Sequence, residues 1–529
     1  MKIPVILLIV SILATYVSLG KLFEKAGRPA WQGWVPIYNL FIWQKVTERP
    51  WYWVLILLVP GIQFVMLMIM HVNLVWSFGH RGTQNTLLAM FVPFYIIPKI
   101  AFDKKQEFTG NLQWKVPGQR NSRREWADAL LFALIAAYIV RTFVFESFTI
   151  PTASMEKSML VGDYLFVSKA RYGAKVPETP IYFPLTHHTL PVLNIPSYLD
   201  WQKLDYNRLP GWSDVERNDP VVFNYPLGDT VIVEDEVTSW YQYVRTLGMQ
   251  AARSPEKFEA DRQRYEQIAR ENLLRNPKAT VRVRPKDKKE NYVKRCVGMP
   301  GDVLEIKEGQ LMIDGQPAQE IPGIQFDYTA ITSQELTNAT KERLKDELDL
   351  NIGNVERKGN KTYSMLLTQS QREAIMGVGI IDSIYIDWEP KAEPHKKIFS
   401  VYPYHSDFDW SIDNFGPLTI PAKGMTIPLS QDNLTLYRRC IEVYEDHEVR
   451  VQDGQVLIDG EVREDYTFEL DYYWMMGDNR HRSQDSRIFG FVPEDHIVGR
   501  PSFVWLSLDE ERSLFGGKIR WSRMFKGVE

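Results

Sequence analysis

Ser154 can attack a carbonyl if a neutral base takes its hydroxyl proton, and two lysines are candidates for that base. Lys157 stands three residues on, in PTASMEKSML, and Lys294 stands 140 residues on, in NYVKRCVG. A lysine base must be neutral, against an ordinary pKa of about 10.4, so it needs burial. A Ser-x-x-Lys pair works one helical turn apart, with Ser-Asp-Asn and Lys-Thr-Gly companions. Neither tripeptide occurs, and SMLVGDYLFV after Lys157 reads as a turn and then a strand. Lys157 is therefore expected to be a solvated turn residue. In NYVKRCVG, alternation places Tyr292, Lys294 and Cys296 on one face and Val293, Arg295 and Val297 on the other. An aromatic ring and a thiol can desolvate Lys294, although the same strand also suits an exposed Lys-Arg pair at a sheet edge.

Other chemistries find less support. No Gly-x-Ser-x-Gly elbow surrounds Ser154. His187 and His188 have no partner at metal-binding spacing, so no metal site is expected. His481 and His496 read as polar surface. Two cysteines, Cys296 and Cys440, exclude a disulfide framework or a Cys-rich zinc site and are expected as buried thiols in strands.

The elements around these residues divide sharply. At about 150 residues per domain, 529 residues suggest three or four units. Lys+Arg 62 against Asp+Glu 66 gives a net charge of −4, without the basic excess a nucleic-acid partner requires. Residues 3–20, 51–79, 86–102 and 129–145 are apolar runs, the third interrupted by Pro93, Pro98 and Lys99. A spanning helix takes about 20 such residues, so four transmembrane helices are expected. The first lacks a clean small-x-small site and reads as a retained span. Basic residues crowd 21–50 and 103–127, whereas the turn near 80–85 carries only Arg81. Those two loops are therefore expected inside, and everything after about residue 146 outside.

From 148 onward short β-like runs alternate with turns, among them DYLFV, DPVVFNYP and QLMIDG. Residues 236–279 read as helical, and 328–396 as a mixed insert with helices near 333–348 and 370–376. KRCVGMPGDVLEIKEGQLMIDGQ from 294 is echoed by RRCIEVYEDHEVRVQDGQVLIDGE from 438, each ending in an Asp-Gly hairpin signal. The echo is expected to be a second strand and hairpin. It has Arg438 where the first has Lys294, and arginine cannot serve as a base.

Four ordered boxes carry a resemblance. Ile-Pro-x-x-Ser154-Met followed by Gly162-Asp163 resembles the nucleophile box of bacterial type I signal peptidases. Asp219-Pro-Val-Val-Phe resembles the next box, with Asn218 where that family usually has Gly. YVKRCVGMPGD resembles the lysine box, and GDNRHRSQDSR from 477 the last one. The resemblance implies Ser154 as nucleophile and Lys294 as base, with Ser483 orienting Lys294. It implies Thr152 and the Ser154 N–H as oxyanion donors, and Asp478, Arg480, Asp485 and Arg487 as supporting ion pairs. Phe148, Ile150, Met159 and Tyr292 match positions lining a shallow substrate groove.

The implied fold is mainly β, a signal-peptidase-like β core with helical and mixed α/β insertions. The domains would be 1–127 with three spans, 128–147 the fourth helix, 148–507 the catalytic part interrupted at 236–290 and 317–416, and 508–529 a tail. The implied activity is removal of signal peptides from exported preproteins at the extracytoplasmic face of the cytoplasmic membrane. Signal peptides and the bilayer are the partners, with no cofactor and no nucleic acid. A penicillin-binding-type acyltransferase through Lys157 and a non-enzymatic membrane scaffold are the alternatives.

Overall fold

A computed structural model describes residues 15–58, 62–110, 134–183, 186–190, 193, 195–319, 321–348, 350–391, 401–509, 512–513 and 516–528. Residues 3–14, 59–61 and 129–133 of the expected membrane runs lie outside the described residues. The chain divides into two units, Met1–Thr142 with Val176–Asp205, and Phe143–Lys175 with Tyr206–Glu529.

The first unit is helical. Its core gathers Leu22, Phe23, Trp43, Leu74, Phe78, Ile97 and Ile100. Two of the expected spans are not single helices. The 51–79 run holds a short helix, Trp53–Ile56, and a separate one, Ile62–Ser77. The 86–102 run breaks into Thr83–Phe91 and Pro93–Phe102, bent by 113°. Pro93 causes that break: the residue before a proline avoids the helical region, and Val92 sits at φ −134, ψ 48. Among the described residues no single helix is long and apolar enough to cross a membrane; the bent pair passes only when taken together.

The second unit is built on a seven-stranded antiparallel sheet. Its strands are β1 Phe145–Thr149, β2 Asp163–Ser168, β3 Pro220–Asn224, β4 Asn291–Gly298, β5 Tyr472–Met476, β6 Val492–Pro493 and β7 Ile497–Ser507. Their spatial order is β1-β2-β7-β3-β4-β5-β6. β4 is an interior strand, held between β3 and β5, with its Lys294 opposite Val221 of β3. Alternation holds along it: Tyr292 and Cys296 pack in one apolar cluster and Val293 in another. β5 leaves β4 after Met476 pairs with Arg295, so the lattice of strands opens beside Lys294. The largest core cluster holds Phe415, Phe468, Tyr472, Trp474 and Phe491. The C-terminal stretch also packs on this unit: Val528 is buried, and Phe525 N–H donates to the Val504 carbonyl of β7.

The expected helical block is present as Trp240–Ala252, Pro255–Ala260 and Arg262–Arg275. The mixed insert carries its own four-stranded sheet, in the order Val355–Gly359, Thr362–Thr368, Gln325–Thr332 and Ile381–Tyr385. It adds the helices Asn338–Leu348 and Gln369–Met376.

The echo is half right. Both copies form the hairpin, and Asp314-Gly315 and Asp459-Gly460 all have positive φ, as a type I′ turn requires. The Arg-Cys part differs: residues Gln431–Arg439 form an α-helix continued by a π turn over Cys440–Tyr444. Ser430 caps that helix by accepting from the Asn433 N–H at 3.3 Å, so Cys440 is buried in a helical segment and not in a strand.

Candidate active site

Ser154 lies in a single 3₁₀ turn, Ala153–Met155, between β1 and β2. That turn fills the opening left beside Lys294. Lys294 Nζ donates to Ser154 Oγ at 2.6 Å and to the Val293 carbonyl at 3.1 Å. Its Nζ stands 5.6 Å from the centre of the Tyr292 ring. Lys294 is 4% exposed. Burial lowers its pKa to about 8, against the opposing pull of Asp485 and Asp478. A serine hydroxyl thus shares a hydrogen bond with an amine that is partly neutral near physiological pH.

Position 477 must be glycine for this approach. A Cβ there would lie 2.6 Å from the Ser154 carbonyl oxygen and 2.3 Å from Ser483 Oγ. The Ser483 hydroxyl is buried and has no hydrogen-bond partner among the described residues, so the structure does not pair it with Lys294. Thr152 is exposed, its hydroxyl 3.4 Å from Ser154 Oγ. Lys157 follows at φ 75, off the helical path, so Ser154 and Lys157 do not stand one helical turn apart.

The ion pairs differ from expectation in one member. Arg487 holds Asp485 through Nε at 2.9 Å and Nη2 at 2.8 Å. Burial alone would raise the Asp485 carboxyl, but Arg487 beside it holds it below the usual range. Asp478 pairs with Arg295 at 2.8 and 2.7 Å, in a fork-to-fork arrangement, and accepts from Ser158 Oγ at 2.6 Å. Arg480 makes no ion pair among the described residues. It is buried, its Nε has no partner, and burial together with Arg487 lowers its pKa to about 10. Arg295 therefore takes the place given to Arg480. It stands beside Lys294 in the lysine box, where alternation alone assigned it merely to the opposite face.

Of the expected groove residues, Phe148 and Tyr292 are half-buried, while Ile150 and Met159 pack inside an apolar cluster with Leu165, Val222 and Val504. Met159 has no exposed surface. The two histidines are not polar surface. His496 is buried, with Nδ1 2.6 Å from Asp495 Oδ1 and Nε2 3.0 Å from Lys289 Nζ. His481 lies 2.9 Å from Asp413 through Nε2, and its Nδ1 accepts from the Asp327 N–H at 3.1 Å.

Further groups support the site. Asn479 N–H donates to the Ser154 carbonyl at 3.1 Å, and its Nδ2 to the Ala153 carbonyl at 3.2 Å. The last box contains Asn479, but its letters do not say what it binds. Asn218 takes φ 71 while its carbonyl accepts from Arg295 at 2.7 Å. Asparagine is among the non-glycine residues that tolerate this region best, so its departure from Gly is accommodated. Gly162 is needed at φ 83, because a Cβ there would meet the Leu508 carbonyl oxygen at 2.0 Å. The adjoining Asp163 is buried and accepts from Arg523 at 2.6 Å and Ser507 Oγ at 2.6 Å.

A family model described as signal peptidase, peptidase S26, matches residues 123–372 and 424–506. A second, for a family of unknown function, matches residues 31–111. Signal peptidase I of Haemophilus influenzae is 23% identical over 412 residues, covering 77% of this chain and 76% of that protein. Signal peptidase I of Buchnera aphidicola subsp. Schizaphis graminum is 21% identical over 397 residues, covering 75% of this chain and 79% of that protein. Signal peptidase I of Helicobacter pylori is 44% identical over 68 residues, covering 11% of this chain and 23% of that protein.

Proposed function

The chain belongs to the signal peptidase family, peptidase S26, and on that premise we propose that Ser154 and Lys294 are its catalytic pair. Membership makes it a serine endopeptidase that cleaves signal peptides. Neutral Lys294 accepts the Ser154 proton as Oγ bonds to the scissile carbonyl carbon and the carbonyl electrons move onto oxygen. The Ser154 N–H and the Thr152 hydroxyl donate to that oxyanion, and such donors commonly contribute a few kcal/mol. The Lys294 ammonium then protonates the departing amine as the C–N bond breaks. Neutral again, Lys294 takes a proton from the water that releases the acyl group. Ser483, a buried hydroxyl without a partner among the described residues, orients Lys294 once substrate is bound. The ion pairs of Asp478 and Asp485 hold the two sides of the site.

The signal peptide adds as a strand along the free edge of β1, with Phe148 and Tyr292 at the groove wall and Ile150 and Met159 supporting it from beneath. The apolar N-terminal runs seat the chain in the cytoplasmic membrane, and the catalytic unit faces the extracytoplasmic side. The basic loops at 21–50 and 103–127 support that orientation.

The observation that carries this reading is the 2.6 Å hydrogen bond from buried Lys294 to Ser154 Oγ. Cleavage of a preprotein by the full chain tests it. Ser154→Ala and Lys294→Met are expected to abolish turnover, whereas Lys157→Ala retains it. The rate should climb as pH rises through about 8, because only neutral Lys294 is a base. Turnover surviving in Lys294→Met would end this reading.

A further inference from the structure

The nucleophile turn is short. Ala153–Met155 is one 3₁₀ turn without a side-chain cap, and Lys157 then leaves at positive φ. Such a turn does not hold its own position, so its supports matter. Asn479 grips its first two carbonyls, as described above. The support at its other end is Glu156.

Glu156 is 6% exposed. Buried carboxylates are normally paired with a cation, yet none of the described residues makes an ion pair with Glu156. Its partners are two neutral amides: Asn351 Nδ2 donates to Oε1 at 3.0 Å and Asn354 Nδ2 to Oε2 at 3.1 Å. Both amides come from the turn that leads into Val355–Gly359, inside the 317–416 insertion. The turn is itself locked, since Gly353 N–H donates to Asn351 Oδ1 at 3.1 Å. Asn354 also reaches the other side of the site. Its Oδ1 accepts from Arg482 Nη1 at 3.2 Å, and Arg482 adjoins Ser483. One carboxamide thus donates to the loop of Ser154 and accepts from the loop of Ser483. Only a group that is donor on one side and acceptor on the other can do both.

We propose that the Asn351–Asn354 turn of the insertion is a clamp that positions Ser154 against Lys294, with Asn354 and Glu156 as positioning residues. This rests on the Ser154–Lys294 reading and gives the insertion a part in the same reaction. Misplacing reacting atoms by about 1 Å costs on the order of 100-fold in rate, so the clamp acts on kcat. Loosening it also admits water beside Lys294 and moves that amine back toward its ordinary pKa.

The test is steady-state cleavage of a preprotein across pH by the full chain. Asn354→Asp keeps the shape but sets a carboxylate against Glu156. It is expected to lower kcat by roughly 10- to 100-fold with KM nearly unchanged, and to shift the acid limb to higher pH. The double variant Glu156→Gln/Asn354→Asp exchanges the roles: the new amide donates to the new carboxylate, which still accepts from Arg482. It is expected to restore kcat and the pH limb close to wild type. A wild-type kcat and pH limb in Asn354→Asp would overturn the clamp. So would a double variant no better than Asn354→Asp, or a rise in KM with kcat intact. Loss of turnover in Ser154→Ala and Lys294→Met, run alongside, keeps failure of the clamp separate from failure of the catalytic pair.

Discussion

Lys294-Arg295-Cys296 and Arg438-Arg439-Cys440 read alike, and the protein uses them in opposite ways. In both, the second residue is an arginine that reaches a distant aspartate: Arg295 to Asp478 at 2.7 Å and Arg439 to Asp229 at 2.9 Å. In both, the cysteine is buried, and burial pushes its thiol well up. The first residue sets them apart. Lys294 is enclosed in a strand and meets a serine, whereas Arg438 lies on a helix and pairs with Glu442 one turn on, at 2.8 Å. The same local pattern offers a desolvated, titratable amine to a serine in one place and forms a surface ion pair in the other.

Making the first stretch resemble the second gives the largest effect. Lys294→Arg keeps the charge but removes the proposed base, and its turnover is expected to fall by at least about 1,000-fold in a preprotein cleavage assay. Retained turnover would mean that titration of this side chain is not what separates the two stretches.

The second test compares the arginines. Arg295→Ala leaves Asp478 buried without its cation, and removing one partner of a buried pair costs about 3–5 kcal/mol. Arg439→Ala, in a pair about one-fifth exposed on each side, is expected to cost less. Chemical denaturation of the two variants gives the ordering.

The third test reads the cost of burying the lysine. The folded pKa of Lys294, about 8, lies below its ordinary 10.5. Folding therefore releases protons, and the penalty is fully present below pH 8 and disappears above 10.5. At about 1.4 kcal/mol per unit the penalty is roughly 3 kcal/mol. Lys294→Met is expected to raise the melting temperature at pH 7 and to lose that advantage as pH rises toward 10.5. A stability gain independent of pH would trace to packing and not to charge. The smallest effect belongs to the helix of the second stretch, where Ser430→Ala should cost about 1 kcal/mol.

Much of the site was legible because its groups are carried in short boxes with fixed internal spacing. Alternation alone left Lys294 open between a desolvated amine and an exposed edge residue, and the resemblance of its box to a known family singled it out with Ser154; Asp485 and Arg487 share one turn. The partner of Arg295 was not foreseen, because alternation says which face a side chain leaves from and not which loop it meets. Arg480 went the other way: the resemblance of its box implied an ion pair, but the neighbouring aspartates are taken by Arg295 and Arg487. The Cys440 helix was hidden because a Cys-aliphatic run suits either element, and the deciding signal, the Ser430 cap, lies ten residues upstream. The break at Pro93 could be seen as an interruption, while the size of its bend, 113°, is not written in the local residues.

The sheet that carries the site takes β1 and β2 from one end of the unit's sequence and β5 to β7 from the other. Arg523 then closes on Asp163, 360 residues earlier. Contacts of such separation form late, because long loops must close before they gain anything. A nascent chain therefore holds Ser154 and Lys294 long before it holds Asp478, Asp485 or Arg523. During its own synthesis the enzyme is a set of parts, and its competence switches on with the last of them. Refolding followed in parallel by circular dichroism and by cleavage should show activity arriving after secondary structure; simultaneous recovery would place the closing contacts early.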